Sequence, residues 1–241
     1  MEPHILVKYA SRSRPARFME GLHSIFSLAG NKGDITVLCI LDTDDACASE
    51  YANTLCRHNQ SLGKTIPYSG FSTSKIDAIN RPIPPEIRWD ILVNFSDDMR
   101  FTVYGWDHLI RDGFRCNGDD LFLHYPDSTA KGMLSTMSIM DRKYFERDGY
   151  IYHPSYKSLF ADNEAQEVAQ MRGRYLYMGT QIFDHFHPAY GLAEWDEQYY
   201  RQQALWNEDE ANYNYRKSHN FCLDAISPDS EPAHSDAARG E

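Results

Sequence analysis

No run of apolar residues in this chain approaches the roughly 18 needed to cross a bilayer, and the N-terminus lacks the apolar core of a signal peptide. Positive charge is also scarce: the formal net charge is -11, which repels nucleic acid and anionic lipid at long range. A nucleic-acid partner is therefore not expected, while peripheral contact with a membrane stays open. The five cysteines, Cys39, Cys47, Cys56, Cys116 and Cys222, are odd in number and show no CxxC spacing. That pattern fits a reducing compartment and argues against a zinc-thiolate centre. Neither an internal repeat nor a glycine-rich phosphate loop with a lysine near the N-terminus is present. What remains is a globular composition, 42% hydrophobic and 24% charged over 241 residues, enough for one substantial core. The expectation is a soluble, cytoplasmic protein whose oligomeric state the sequence does not show.

The most informative stretch is residues 89–106, WDILVNFSDDMRFTVYGW. Ile91, Leu92 and Val93 form an uninterrupted apolar run, the pattern of a strand buried on both faces. Polarity then reverses at Asn94, Ser96, Asp97 and Asp98. Adjacent carboxylates at the end of a buried strand repel each other and are costly to desolvate unless a cation or several donors compensate. A divalent ion shared with ligand phosphates is one solution, and a solvated turn is the other.

Upstream, a strand at residues 5–9 runs into SRSRPARF, where Arg12, Arg14 and Arg17 cluster ahead of an amphipathic helix over 15–29. A second apolar strand at 35–41 completes a βαβ unit with a right-handed crossover, which directs ligands to the carboxyl ends of the strands. Asp42, Asp44 and Asp45 follow that strand. A carboxylate there accepts bonds from a base or ribose, or else caps a helix. Lys75 opens a short helix, a poor place for a cation unless a ligand phosphate lies nearby. Downstream, the pattern predicts a helix over 101–111, strands at 119–124 and 133–140, and a helix over 141–148. Met133, Met137 and Met140 read as core filling. Asp162 precedes a further helix, either as its cap or as a general base in a loop over the sheet edge. A strand over 175–183 leads to His185 and His187, two apart and so on one side of an extended backbone. Neutral imidazole suits manganese better than magnesium, and two histidines need carboxylates from elsewhere. A last helix carries Trp195, Tyr199, Trp206 and Tyr213. The chain reads as one domain over 1–226, with a tail at 227–241 that lacks large apolar residues.

Taken together, SRSRP after the first strand, Asp42 after the second, SKIDAIN, NFSDDM, FADNE and DHFHP resemble the family two glycosyltransferases, nucleotide-sugar enzymes of the GT-A fold. The resemblance implies an α/β Rossmann-like sandwich with a mixed central sheet and a C-terminal helical segment. It divides the chain into a nucleotide-binding half, about 1–100, and an acceptor and metal half, about 101–226. It also implies that Asp98 ligates Mn2+ or Mg2+ with His187 or His185, and that Asp97 assists or meets the sugar. Asp42, with Asp44 beside it, would receive the base, Arg12 and Lys75 would line the nucleotide pocket, and Asp162 would be the base of an inverting transfer. The expected activity is transfer from a nucleotide sugar, UDP-sugar favoured, to an acceptor hydroxyl. A nucleotidyltransferase making a nucleotide sugar, or a nucleotide- or sugar-binding protein without turnover, stays as the alternative.

Overall fold

The computed structural model describes residues 2–58, 63–129 and 132–225; the segment 227–241, expected to be a tail, lies outside them. The fully apolar runs form the strands expected of them. β1 (Ile5–Ser11), β2 (Ile35–Asp42) and β4 (Ile91–Ser96) are buried along nearly their whole length. They lie parallel in a seven-stranded mixed sheet of order β3-β2-β1-β4-β7-β6-β8, with β3 (Lys64–Gly70), β6 (Phe122–His124), β7 (Ile139–Asp141) and β8 (Tyr175–Tyr177). β7 runs antiparallel to both β4 and β6.

Alternate residues of the central strands feed two cores, as a pleated sheet covered on both faces requires. Val7, Tyr9, Val37 and Val93 pack with α1 (Pro15–Ser27) and α4 (Trp106–Asn117). Leu6, Leu38, Ile40 and Leu92 pack on the other face with α3 (Lys75–Asn80) and α6 (Ala161–Met171). The remaining helices are α2 (Ala48–His58), α5 (Arg142–Glu146), α7 (Glu197–Gln203) and α8 (Trp206–Ser218). A small antiparallel ribbon of β5 (Met99–Phe101) and β9 (Phe183–His185) stands beside the end of β4. Among the described residues no helix is long and apolar enough to cross a membrane.

Several expected elements differ. β3 has no counterpart among the expected strands, because this edge strand is half exposed and carries Pro67, which an edge tolerates. The strand expected over 175–183 is two strands in different sheets, broken around Gly179 at φ 68°. The helix expected from residue 101 starts at Trp106, after Gly105 takes φ 77°, and Phe101 belongs to β5. The strand expected over 133–140 shrinks to β7: Met137 and Met140 are buried, but Met133 is 74% exposed. The last helix is two, α7 and α8.

An ionisable residue is buried in the central strand β1. Lys8 on β1 is 2% exposed and donates to the Arg81 carbonyl at 2.7 Å. Burial, with the nearby Arg81 charge, lowers its pKa from 10.5 to about 7. The unfolded chain therefore holds more protons between pH 7 and 10.5, and stability rises with pH across that window. Lys8→Met should stabilise the fold by about 1–3 kcal/mol at pH 6, since a buried ammonium is replaced by a thioether stem. The gain should shrink as pH rises towards 10.5. Urea titrations of both proteins at pH 6 and pH 9 check it; an equal difference at the two pH values would contradict it.

Candidate active site

The parallel strands β1, β2 and β4 end on one edge of the sheet, so the polar residues that follow each of them converge. There they line a cavity of about 590 Å³. Of the residues singled out from sequence, Arg12, Asp42, Asp44, Lys75, Asp97 and Asp98 all face this cavity. Asp162, His185 and His187 are not among its lining residues, although His185 touches Asp98.

At one end, after β2, Asp42 receives Arg12 at 3.0 Å and Arg81 at 3.0 Å. Arg12 also forks onto Asp44 at 2.7 and 3.0 Å. The hydrogen bonds that Arg12 donates to Asp44 and to Asp42 raise its pKa, so the guanidinium is fixed in its charged form. Arg81 binds the carbonyls of Leu41 and Tyr68 as well, which ties the ends of β2 and β3 together. Asp45 plays a different part, accepting from the Ser13 amide and hydroxyl at 2.6 and 3.0 Å and so shaping the turn after β1. Phe71, 67% exposed, stands at the rim.

At the other end, Asp97 and Asp98 are each 6% exposed. The chain itself supplies the compensation their burial demands. Asp97 accepts from the Ser11 hydroxyl at 2.7 Å and from Arg14 at 2.9 Å. Burial and the Asp98 charge push its pKa up against the pull of Arg14 and Ser11. Asp98 accepts from Ser96, and from the Tyr199 hydroxyl at 3.1 Å, and lies 3.4 Å from His185 Nε2. Burial acts to raise its pKa, but His185, Lys75 and Ser96 together hold it well below the usual carboxylate range.

The β5–β9 ribbon explains the placement of His185. His185 pairs with Met99, the residue after Asp98, and the Phe186 amide donates to the Asp98 carbonyl at 2.8 Å. Burial alone would lower the His185 pKa, but Asp98 and Asp127 raise it to about 9. His187 does lie alongside, its ring centroid 5.6 Å from that of His185. Burial and the His185 charge lower its pKa to about 4, and its Nδ1 accepts from the Ala189 amide at 3.2 Å. A neutral ring accepting at Nδ1 carries its proton on Nε2, so His185 is the one presented to Asp98 with a ring nitrogen.

Asp162 sits in the first turn of α6, behind Phe160, which is held at φ 60°. Backbone strain of this kind clusters at functional sites. Burial raises the Asp162 pKa, countered in part by Lys75 and His185 and by the Asn163 amide. Lys75 therefore acts on Asp98 and Asp162 at once.

Three participants, Asp196, Asp127 and Arg81, carry no signal in the sequence, and neither do the partners of Arg14 and Tyr199. Arg14 spans Asp97 and Asp196, with its guanidinium 4.0 Å from the Tyr199 ring centroid. Tyr199 and Asp196 reach the site from 182–185 residues further along the chain. Asp127, buried behind His185, carries no local signature either. Arg81 directly follows the Asn80 of SKIDAIN and is the closest to a missed motif.

No protein-family model matches the sequence, and no curated protein matches it. Solved structures do match by shape. A mannosyltransferase from Pyrobaculum calidifontis, determined with GDP-Man and Mn2+, superposes with a TM-score of 0.62 at 11% identity, covering 80% of this chain and 59% of its own. Residues 1-349 of S. aureus TarS, determined with UDP, give a TM-score of 0.56 at 11% identity, covering 75% of this chain and 60% of that one. The chain thus spans about three fifths of the length of either structure. At such identity the likeness concerns architecture: the chain has a Rossmann-like GT-A fold, the architecture of known nucleotide-sugar transferases.

Proposed function

We propose that this protein transfers a sugar from a nucleoside-diphosphate sugar to an acceptor hydroxyl, with inversion at the anomeric carbon and with a divalent metal. The observation that carries the reading is the cavity at the carboxyl edge of β1, β2 and β4. It is lined by Arg12, Asp42 and Asp44 at one end and by Lys75, Asp97 and Asp98 at the other. Its volume of about 590 Å³ lies in the range of cofactor and ligand sites, roughly 300–1,000 Å³. On this reading residues 1–226 act as one unit, with the nucleotide held mainly by the first hundred residues and the acceptor and metal by the rest.

In that arrangement Asp42 and Asp44 meet the base and ribose, and Arg12, held by both, fixes their orientation. Lys75 faces the diphosphate, and Asp97 assists at the sugar. The base is taken as uracil from the sequence resemblance, although the two similar structures were determined with different nucleotides, GDP-Man and UDP.

Among the described residues no three or more of His, Cys, Asp and Glu are grouped as a metal centre. The donor chemistry nonetheless fits an ion completed by its ligand. Asp98 Oδ2 and His185 Nε2 face each other at 3.4 Å, a carboxylate and an imidazole that suit Mn2+ and, less well, Mg2+. Asp98 and His185 would hold it, and His187 would take no direct part. A bound ion there supplies Lewis-acid stabilisation to a departing diphosphate. The chain's own residues do the rest: Asp162 removes the acceptor proton, its raised pKa making it a stronger base, and Lys75 offsets negative charge between Asp98 and Asp162.

Calorimetric titration with nucleoside diphosphates and nucleotide sugars, with and without Mn2+, tests the proposal. One nucleotide should bind at least about tenfold more tightly with Mn2+, and Asp98→Ala should abolish the difference. Metal-independent binding, or none across the panel, would remove the transferase reading.

A further inference from the structure

The side of His185 turned away from Asp98 meets a residue with no surface role. Asp127 lies in the loop after β6, and its side chain is fully buried. Its Oδ1 accepts from the Thr129 amide and hydroxyl at 2.7 and 2.8 Å, and its Oδ2 from the Thr136 hydroxyl at 2.5 Å. Three donors fix the carboxylate in one orientation, and that orientation sets Oδ2 3.4 Å from His185 Nδ1. Nδ1 is itself buried and is left without a regular hydrogen bond, so the Asp127 carboxylate is the partner within reach. The same loop is fastened to β9 next to the ring, where the His185 amide donates to the Ser128 hydroxyl at 3.1 Å.

A buried carboxylate is costly unless something requires its charge. Loop closure does not: the threonines that hold Asp127 sit in the same loop region and have no need of an anion. The imidazole does. A histidine that offers one nitrogen to a metal commonly donates its other N–H to a carboxylate, which fixes the tautomer and makes the free nitrogen more basic. The line Asp127 Oδ2, His185 Nδ1, His185 Nε2, Asp98 Oδ2 has this form, with both gaps at 3.4 Å.

We propose that Asp127 is a positioning residue that holds the His185 ring with its Nδ1 proton inward and its Nε2 turned towards Asp98. The proposal rests on the metal-dependent reading above and adds to it a residue outside the cavity. Asp127 touches neither the cavity nor the reacting groups; it acts through the imidazole. It also accounts for the choice between the two histidines, since the His187 Nδ1 accepts from the Ala189 amide instead of donating to a carboxylate.

The test is a double-mutant cycle read by Mn2+ titration in the presence of UDP. Asp127→Asn keeps the shape and can still accept from Thr129 at its carbonyl oxygen, while its amide nitrogen takes the place of the oxygen that faces Thr136 and His185. Asp127→Asn should weaken Mn2+ binding about 10- to 100-fold. In a His185→Ala background the same change should have no further effect, whereas a merely structural role would weaken both proteins alike. A second readout needs only the folded wild-type chain. With Mg2+ and UDP bound, the His185 ring should show a downfield, slowly exchanging proton on Nδ1. Retained affinity in Asp127→Asn, additive losses in the double mutant, or an Nδ1 without such a proton would overturn the assignment. If the wild-type protein itself binds no metal with UDP or any other nucleotide, the reading of the whole site fails, and this proposal with it.

Discussion

Asp162→Asn is expected to lower the transfer rate by about 10²- to 10⁴-fold while leaving metal-dependent nucleotide binding intact. The amide keeps the volume and the contact with the Asn163 backbone but cannot take a proton, and the residue does not line the cavity. The loss should therefore fall on the chemical step and not on donor affinity. The pH profile carries a second signature. Burial raises the Asp162 pKa, so the wild-type rate should fall as pH drops through a value above the free carboxylate's 3.8. The acid limb should disappear from the residual activity of the variant. Single-turnover transfer across pH 4–8, beside nucleotide titrations, makes the comparison. A variant that transfers at the wild-type rate, or a product with retained configuration, would take the base role from Asp162.

The second large effect concerns stability. Asp209 on α8 is 1% exposed, and its carboxylate accepts the backbone amides of Lys157, Ser158 and Leu159 at 2.9, 2.9 and 2.7 Å. Asp209→Ala leaves three donors unpaired in a largely buried place and should cost about 3–5 kcal/mol, as loss of a buried charged partner does. The consequence extends beyond stability. The same loop accepts the Ile76 amide next to Lys75 and leads through Phe160 into Asp162. Guanidinium titrations should show a lower midpoint, and any remaining activity should fall further than the population of folded protein explains. A shift within about 0.5 kcal/mol would mean that water replaces the carboxylate without cost.

How far the sequence reaches follows from how local each signal is. β1, β2 and β4 are legible because strands buried on both faces are written as unbroken apolar runs: Ile5, Leu6, Val7 in the first, residues 37–41 in the second and Ile91, Leu92, Val93 in the third. β3 is not, because an edge strand alternates weakly and tolerates proline. The 175–183 strand is misread because one glycine at positive φ divides two pieces that belong to different sheets. In the site, Arg12, Asp42, Asp97 and Asp98 are legible because each follows a strand whose end topology fixes. Arg14's bond to Asp196, the Tyr199 hydroxyl on Asp98 and the carboxylate of Asp127 are not. Each joins residues far apart in the chain, with no spacing rule to announce the pair. The two aspartates also show a limit of charge arithmetic: their repulsion signals a cation, but the chain's Arg14 and His185 already answer it.

The bond from Arg14 to Asp196 closes a span of 182 residues. Translated into time, a ribosome adding about 5–20 residues per second needs roughly 5–20 s to advance the hundred or so residues from Asp98 to Tyr199. For most of that interval the residues of β1, β2 and β4 have been made while the acidic pair at their end lacks His185, the Asp196 end of the Arg14 bridge and, last of all, Tyr199. The carboxylates stay hydrated until those partners arrive, so burial of this edge of the sheet waits on residues from the far end of the described chain.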